Sequence, residues 1–121
     1  MAKSSPKMQR AIDYGIRPYT LLRNEIAGTG LHAHHIMPKK FSVNFNLKGR
    51  ENDMFCLTLD STTHNMITGR FNSRLSKSAE TYTAAEVRRV SIEIYDQLYR
   101  ETGDYIFKFQ SDFIKLNQYA P

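Results

Sequence analysis

All four histidines of this 121-residue chain lie in a single stretch that runs from Gly28 to Phe71. Three of them, His32, His34 and His35, belong to one short apolar segment, and His64 follows further along the chain. Imidazole is the commonest protein ligand for metal ions, and it titrates near neutral pH, so it also serves as a proton acceptor. Histidines clustered in this way in a short basic chain favour a site for metal-assisted cleavage of a phosphodiester.

The same stretch predicts a strand–strand–helix unit. Residues 31–37 and 54–59 are short apolar runs with turn residues on either side, which is typical of strands. The residues between them, 38–53, predict a loop with one helical turn. Asp60 or the serine after it is expected to cap a helix over 61–76. The fold class predicted for this unit is α+β.

Helices are expected on both sides of the unit. Residues 1 to about 7 predict a flexible lead-in or the junction with a longer polypeptide. Met8–Tyr14 predicts a short helix, and Arg17–Pro18 is expected to begin a second helix, with the proline in its first turn. We expect one domain over 1–121, with its core at 28–76 and flanking helices at 8–27 and 83–117.

The C-terminal half predicts two further helices. Thr83 and Glu86 form a capping box ahead of a long helix that is expected to end at Gly103. Asp104 can cap a last helix. The side chains expected to face the core from the last three helices are Ile67, Phe71, Leu75, Val87, Val90, Ile94, Tyr95, Leu98, Tyr99, Ile106, Phe109, Phe113 and Leu116.

Composition narrows the function classes without selecting one. The net charge of +5 and the isoelectric point of about 9.4 favour a polyanionic partner such as nucleic acid, although many basic proteins bind none. Cys56 is the only cysteine, so a disulfide framework or a thiolate zinc ribbon is excluded, and its apolar neighbours predict a buried strand position. We expect no membrane segment and no signal peptide in this chain, because it has no apolar run of suitable length.

The chemistry expected near His64 suits a metal and a phosphate. His64 is predicted in the first turn of its helix, where the positive end of the helix dipole disfavours imidazolium and so favours the metal-binding neutral ring. The N–H groups of the same helix end attract phosphate. Arg70 on that helix, and Lys39 and Lys40 in the preceding loop, are candidates to bind the phosphate. For Arg70 a solvated surface position is an equally weighted alternative.

The chain resembles the HNH/endonuclease VII superfamily in two runs, Leu31–Pro38 (LHAHHIMP) and His64–Phe71 (HNMITGRF). More narrowly, it resembles the Ala-His-His nuclease toxin domains at the C-termini of bacterial polymorphic toxins. The likeness covers roughly residues 17–72 and includes Pro18-Tyr19 and Gly28–Leu31. It implies a ββα-metal (His-Me finger) core wrapped by flanking helices.

The resemblance also implies a role for each residue of the site. His34 and His64 would bind one divalent metal ion (Mg, Mn, Zn or Ni), and His35 would be the general base that activates water. Arg70 would act on the phosphate beside them. The expected substrate is nucleic acid, DNA more than RNA. The protein would be the toxin end of a larger exported bacterial protein, acting in the cytoplasm of a target cell and neutralised in the producer by an acidic immunity protein.

The chain departs from the pattern of that superfamily at two positions. Nuclease members with a third metal-binding histidine carry it one helical turn after the second, where this chain has Thr68. Water and phosphate would then complete the metal coordination, with help from Asn65 or Asn72. The pattern also has an asparagine between strand and helix. Its nearest counterpart here is Asn52, which lies earlier in the chain than that position.

Strand geometry leaves a second arrangement open. Successive strand residues point to opposite faces, so His34 and His35 can enter one site only if the strand ends or bulges near His35. In a regular strand His32 would share a face with His34, and these two with His64 could form a structural metal triad. The chain would then be a non-catalytic nucleic-acid-binding module. A third alternative is a phage or mobile-element HNH nuclease without a toxin role.

Overall fold

A three-stranded antiparallel sheet with the strand order β1–β3–β2 carries the histidine segment. The structure is a computed structural model that describes residues 5–121. The strands are β1 (Arg17–Pro18), β2 (His32–His35) and β3 (Phe55–Leu59). The helices are α1 (Pro6–Asp13), α2 (Tyr19–Glu25), α3 (Ser61–Arg74), α4 (Ala84–Thr102) and α5 (Tyr105–Lys115), with 3₁₀ helices at Lys39–Phe45, Glu51–Asp53 and Ala79–Thr81.

The predicted α+β class is confirmed, and so is the order of strand, strand and helix around the histidines. β2 pairs with β3 in a register that places His34 opposite Leu57 and His35 opposite Cys56. β2 is shorter than the predicted 31–37, because the chain bends at residues 36–37, directly after His35 and ahead of Pro38. Cys56 is completely buried on β3, as its apolar neighbours predicted.

The prediction that Arg17–Pro18 begins a helix is wrong. These two residues form β1, which pairs with β3 at the edge of the sheet, and α2 begins at Tyr19. Proline has no N–H to donate to a strand ladder, so an edge strand is the place where a sheet tolerates it. Two residues are too few to show an alternating pattern, so sequence periodicity could not indicate this strand.

The predicted flexible lead-in is wrong for residues 5–7, and residues 1–4 lie outside the described part of the chain. The Ser5 side chain caps α1 by accepting a hydrogen bond of 3.1 Å from the Met8 N–H. Pro6 then occupies the first turn, where its fixed φ and missing N–H cost nothing. The helix therefore starts earlier than its apolar residues suggested.

The loop predicted at 38–53 contains more helix than one turn. The 3₁₀ helix Lys39–Phe45 buries Phe41 and ends at Asn46, which has a left-handed φ of 58°. The Lys40 ammonium donates a hydrogen bond of 2.9 Å to the carbonyl of Leu75, the C-cap of α3. This contact ties the segment after β2 to the far end of α3.

The predicted caps of the last three helices are confirmed. Asp60 caps α3 by accepting from the Thr63 N–H at 2.7 Å, and the capping box of Thr83 and Glu86 opens α4. Gly103 ends α4 with a φ of 70°, and Asp104 caps α5. The backbone N–H groups in the first turn of a helix have no carbonyl partner within the helix. Each N-cap side chain accepts a hydrogen bond from one of them and so determines where its helix begins.

The predicted core-facing residues of α5 do face the core, but they are not its most buried residues. Phe113 is buried, and Ile106, Phe109 and Leu116 are partly buried and pack against the core. The buried residues of the helix are Phe107, Gln110, Ser111, Phe113 and Ile114. The stripes at 106–109–113 and 107–110–114 both have helical spacing, so periodicity alone does not show which residues are the more deeply buried.

No helix within residues 5–121 combines the length and the apolar composition that crossing a membrane requires.

Candidate functional site

A groove of about 330 Å³ lies where the end of β2, the following 3₁₀ helix and one face of α3 meet. Three of the four histidines, His34, His35 and His64, line it. The other polar or aromatic lining residues are Tyr19, Lys39, Lys40, Phe41, Thr68, Phe71 and Asn72. The groove therefore collects most of the chemistry-bearing residues that the sequence singled out.

His34 and His64 form a close pair of imidazoles. Their Nδ1 atoms lie 3.1 Å apart and their rings are inclined at 76°. Two imidazole nitrogens that bind one zinc ion at about 2.0–2.1 Å each are separated by roughly 3.0–3.4 Å. The spacing of the two Nδ1 atoms therefore fits shared coordination of a single divalent cation.

Burial keeps the His34 ring neutral. His34 has an exposed fraction of only 4 %, and desolvation, assisted by the nearby His64 and His35, lowers its pKa from 6.5 to about 3. The pKa of His64 is lowered as well, chiefly by partial burial and then by His32. Since neutral imidazole is the form that binds metal ions, both rings are in the required state at neutral pH.

His35 lies beside this pair and has one nitrogen engaged. Its Nε2–H donates a hydrogen bond of 2.9 Å to the carbonyl of Glu51, and its ring stacks on Tyr19 with 4.9 Å between centroids. Desolvation lowers its pKa, and the charge of Lys39 acts in the same direction. A neutral imidazole that donates through Nε2 has a lone pair on Nδ1. His35 is thus an oriented, neutral base on the wall of the groove.

The end of β2 explains how adjacent residues reach one groove. The strand stops at His35, and the groove is lined both by the last residues of the strand and by residues that follow it. The His34 side chain meets α3 and α4, through His64 and Tyr95, whereas the His35 ring meets Tyr19 of α2. The structure therefore has the strand end near His35 that strand geometry requires.

His32 is outside the groove lining. It is exposed, its ring stacks on His64 with 4.8 Å between centroids, and its Nε2 atom lies 3.1 Å from the Ser61 hydroxyl oxygen. In residues 5–121 no group of three or more histidine, cysteine, aspartate or glutamate side chains is placed to hold a metal ion. The structural triad of His32, His34 and His64 is therefore not formed among these residues.

The cationic candidates separate into two groups. Lys39 and Lys40 line the groove, and the Lys40 ammonium also donates to the Leu75 carbonyl. Arg70 is not among the lining residues, and its guanidinium forms an ion pair of 2.8 Å with Glu101 of α4. The structure therefore brings the two lysines to the histidines and places Arg70 in a contact between α3 and α4.

The asparagine candidates also differ in position. Asn72 lines the groove together with Thr68, one helical turn before it, whereas Asn65 is exposed and lies outside the lining. Asn52 lies in the 3₁₀ helix Glu51–Asp53, directly after the residue whose carbonyl holds His35. Asn72 is therefore the asparagine that the fold makes available to a ligand in the groove.

Tyr95 is a site residue that the sequence did not indicate. It was expected only to pack in the core, where it is indeed completely buried. Its hydroxyl lies 3.1 Å from His34 Nε2 and donates a hydrogen bond of 2.7 Å to the Ile36 carbonyl. No local pattern signals this contact, because Tyr95 belongs to α4, far along the chain. The stacking of Tyr19 on His35 and the Glu51 carbonyl were likewise not predicted.

Comparison of the chain with protein families, with curated proteins and with solved structures gives no match.

Proposed function

We propose that this chain is a metal-dependent endonuclease with a ββα-metal core, which hydrolyses phosphodiester bonds of nucleic acid, DNA more than RNA. One observation carries the proposal. The Nδ1 atoms of His34 and His64 lie 3.1 Å apart in a groove that is also lined by His35, a neutral base held by a backbone carbonyl. A pair of metal-binding nitrogens beside an oriented base is the combination that water activation at a phosphate needs.

His34 and His64 would hold one divalent ion, and water and the substrate phosphate would be its remaining ligands. Imidazole suits zinc, nickel and related transition metals, while magnesium prefers oxygen ligands, so the two histidines alone leave the native metal open among Mg, Mn, Zn and Ni. When bound, the ion would supply charge stabilisation at the phosphate and at the departing oxygen.

His35 would act as the general base. Its Nδ1 lone pair accepts the proton of a water molecule as the water oxygen attacks phosphorus and the bond to the leaving oxygen breaks. The Glu51 carbonyl, at 2.9 Å, and the stacked Tyr19 ring hold the imidazole in one orientation. Since burial lowers the His35 pKa, the ring is unprotonated and ready to accept at neutral pH.

Lys39 is the cation best placed to bind the substrate phosphate. It is exposed on the wall of the groove, and no carboxylate within residues 5–121 pairs with it. The overall charge of +5 would draw a polyanion towards the surface. We assign the phosphate to Lys39 and not to Arg70, because the Arg70 guanidinium lies outside the groove lining and is paired with Glu101.

The wider role follows from the motif resemblance. We propose that the domain is the toxin end of a larger exported bacterial protein and acts in the cytoplasm of a target cell. An immunity protein with an acidic surface would neutralise it, since complementary potentials speed capture of a basic nuclease. A gene for a small acidic protein directly beside the gene for this chain supports this role, whereas phage genes on both sides favour a mobile-element nuclease.

The deciding experiment is digestion of supercoiled plasmid and of a structured RNA by the purified protein. Reactions contain Mg²⁺, Mn²⁺, Zn²⁺, Ni²⁺ or EDTA, and His35→Ala runs beside the unaltered protein. We expect metal-dependent nicking that falls by at least about 100-fold in His35→Ala, the size of a general-base contribution, while metal binding is retained. Retention of plasmid in a gel shift without cleavage under any metal would instead identify a non-catalytic binding module.

A further inference from the structure

The Tyr95 hydroxyl has only one arrangement that satisfies both of its contacts. A phenol carries a single proton, and a carbonyl oxygen can only accept. Since the Tyr95 proton is donated to the Ile36 carbonyl at 2.7 Å, the 3.1 Å contact with His34 Nε2 requires the proton to be on the histidine. The donor in that contact is therefore the His34 Nε2–H.

This assignment determines the other nitrogen of the His34 ring. A neutral imidazole has one ring proton, so a proton on Nε2 leaves a lone pair on Nδ1. That lone pair points to His64 Nδ1, 3.1 Å away on the side of the groove. Without metal, His64 can donate its own Nδ1–H to it, and on metal binding only the less buried His64 has to move its proton.

We propose that Tyr95 is a positioning residue for the metal ligand His34, which it holds in the Nε2–H tautomer so that Nδ1 is free to bind a divalent cation. The proposal rests on the metal site of the proposed function and adds a residue of α4 to it. Groups that accept the second N–H of a ligand histidine orient the ring and raise its basicity, and their loss typically weakens metal binding by about 10- to 100-fold.

Tyr95→Phe tests the proposal, with Tyr99→Phe as its matched control. Phenylalanine keeps the buried ring and its edge contact with Phe71 but removes the hydroxyl. Tyr99 lies one helical turn further along α4, and its ring packs against Tyr105 away from the groove lining. Zn²⁺ affinity is measured by calorimetry without nucleic acid, and ring protonation by ¹⁵N NMR of histidine-labelled, metal-free protein.

We expect the unaltered protein to show His34 protonated on Nε2 and unprotonated on Nδ1. In Tyr95→Phe the two tautomers should mix, and the Zn²⁺ dissociation constant should rise about 10- to 100-fold, while Tyr99→Phe stays within about twofold. Circular dichroism checks whether both variants fold. A His34 proton on Nδ1 in the unaltered protein overturns the proposal even if Tyr95→Phe fails to fold. Unchanged Zn²⁺ affinity in folded Tyr95→Phe overturns it as well.

These readouts separate this proposal from the proposed nuclease activity. The tautomer and the Zn²⁺ affinity are measured without substrate, so they do not depend on cleavage. A protein that binds Zn²⁺ with the expected tautomer but cleaves neither DNA nor RNA would contradict the nuclease and support the role of Tyr95.

Discussion

The Nδ1 atoms of His34 and His64 lie 3.1 Å apart although one residue comes from β2 and the other from α3. Two local features produce this contact. The antiparallel register places His34 opposite Leu57 of β3, and the Asp60 cap starts α3 immediately after β3 ends at Leu59. His64 therefore lies in the first turns of α3, beside the strand that carries His34.

Removal of one ring of this pair is expected to abolish metal binding. His64→Ala deletes a nitrogen ligand without opening the core, because His64 is only partly buried. The loss of Zn²⁺ affinity should exceed the roughly 10- to 100-fold that loss of a ligand's supporting group causes. Calorimetric titration with Zn²⁺ measures it. Asn65→Ala is the matched control, since Asn65 is exposed on the same helix outside the groove lining, and an equal loss in that variant would contradict the pairing.

Acid is expected to destabilise the fold through His34. In the folded state the pKa of this ring is about 3, whereas in the unfolded chain it is 6.5. Because only the unfolded chain takes up a proton between these two pH values, stability is lost as the pH falls from about 6.5 towards about 3. Between pH 7.5 and pH 5 the free energy of unfolding should fall by roughly 2 kcal/mol from this residue alone. Urea unfolding at the two pH values measures the change.

The lowered pKa values of His35 and His64 act in the same direction, so the total loss should be larger than the share of His34. His34→Asn isolates that share. We expect the variant to be less stable at both pH values, but the difference in its free energy of unfolding between the two pH values should be smaller. The assignment would be refuted by a difference as large in the variant as in the unaltered protein.

Arg70 is expected to behave as the partner of Glu101 and not as a catalytic residue. Exposed ion pairs of this kind contribute about 0–1 kcal/mol to stability. Arg70→Ala and Glu101→Gln should therefore lower the free energy of unfolding by similar, small amounts and leave plasmid cleavage within a fewfold of normal. Urea unfolding and cleavage rates are measured for both. A drop in the cleavage rate of tenfold or more in Arg70→Ala alone would show instead that Arg70 acts on the substrate phosphate.

The parts of the site that could be predicted from the sequence are those set by local signals. His64 follows Asp60, a residue that caps helices, so its place in the first turns of α3 could be derived from neighbouring positions. The two apolar runs around His34 and Cys56 likewise predicted strands. These features need only a few consecutive residues, and their physical causes act over the same short range.

The parts that could not be predicted depend on contacts between distant segments. Tyr95 of α4 contacts His34, and Glu101 of α4 forms an ion pair with Arg70. Neither pair leaves any periodic pattern in the sequence. The edge strand Arg17–Pro18 was not predicted for a related reason, since two residues show no alternation and a proline also suits a helix start. Tertiary packing decided each of these cases.

Lys39 is expected to contribute one phosphate contact to nucleic-acid binding. It is exposed on the groove wall beside His35, and its positive charge contributes to lowering the pKa of the His35 ring. Lys39→Gln should weaken binding of duplex DNA at low salt, whatever the sequence, and reduce the slope of log K against log salt by about 1. Fluorescence anisotropy in EDTA measures binding without cleavage.

The matched control for Lys39 is Lys48→Gln, which removes the same charge from an exposed position outside the groove lining. Both variants lower the net charge from +5 to +4, so any effect of overall charge is common to them. Only Lys39→Gln should change the salt slope by a full contact, because counterion release depends on the phosphates actually neutralised. Equal slopes in the two variants would mean that the groove is not where the phosphate backbone binds.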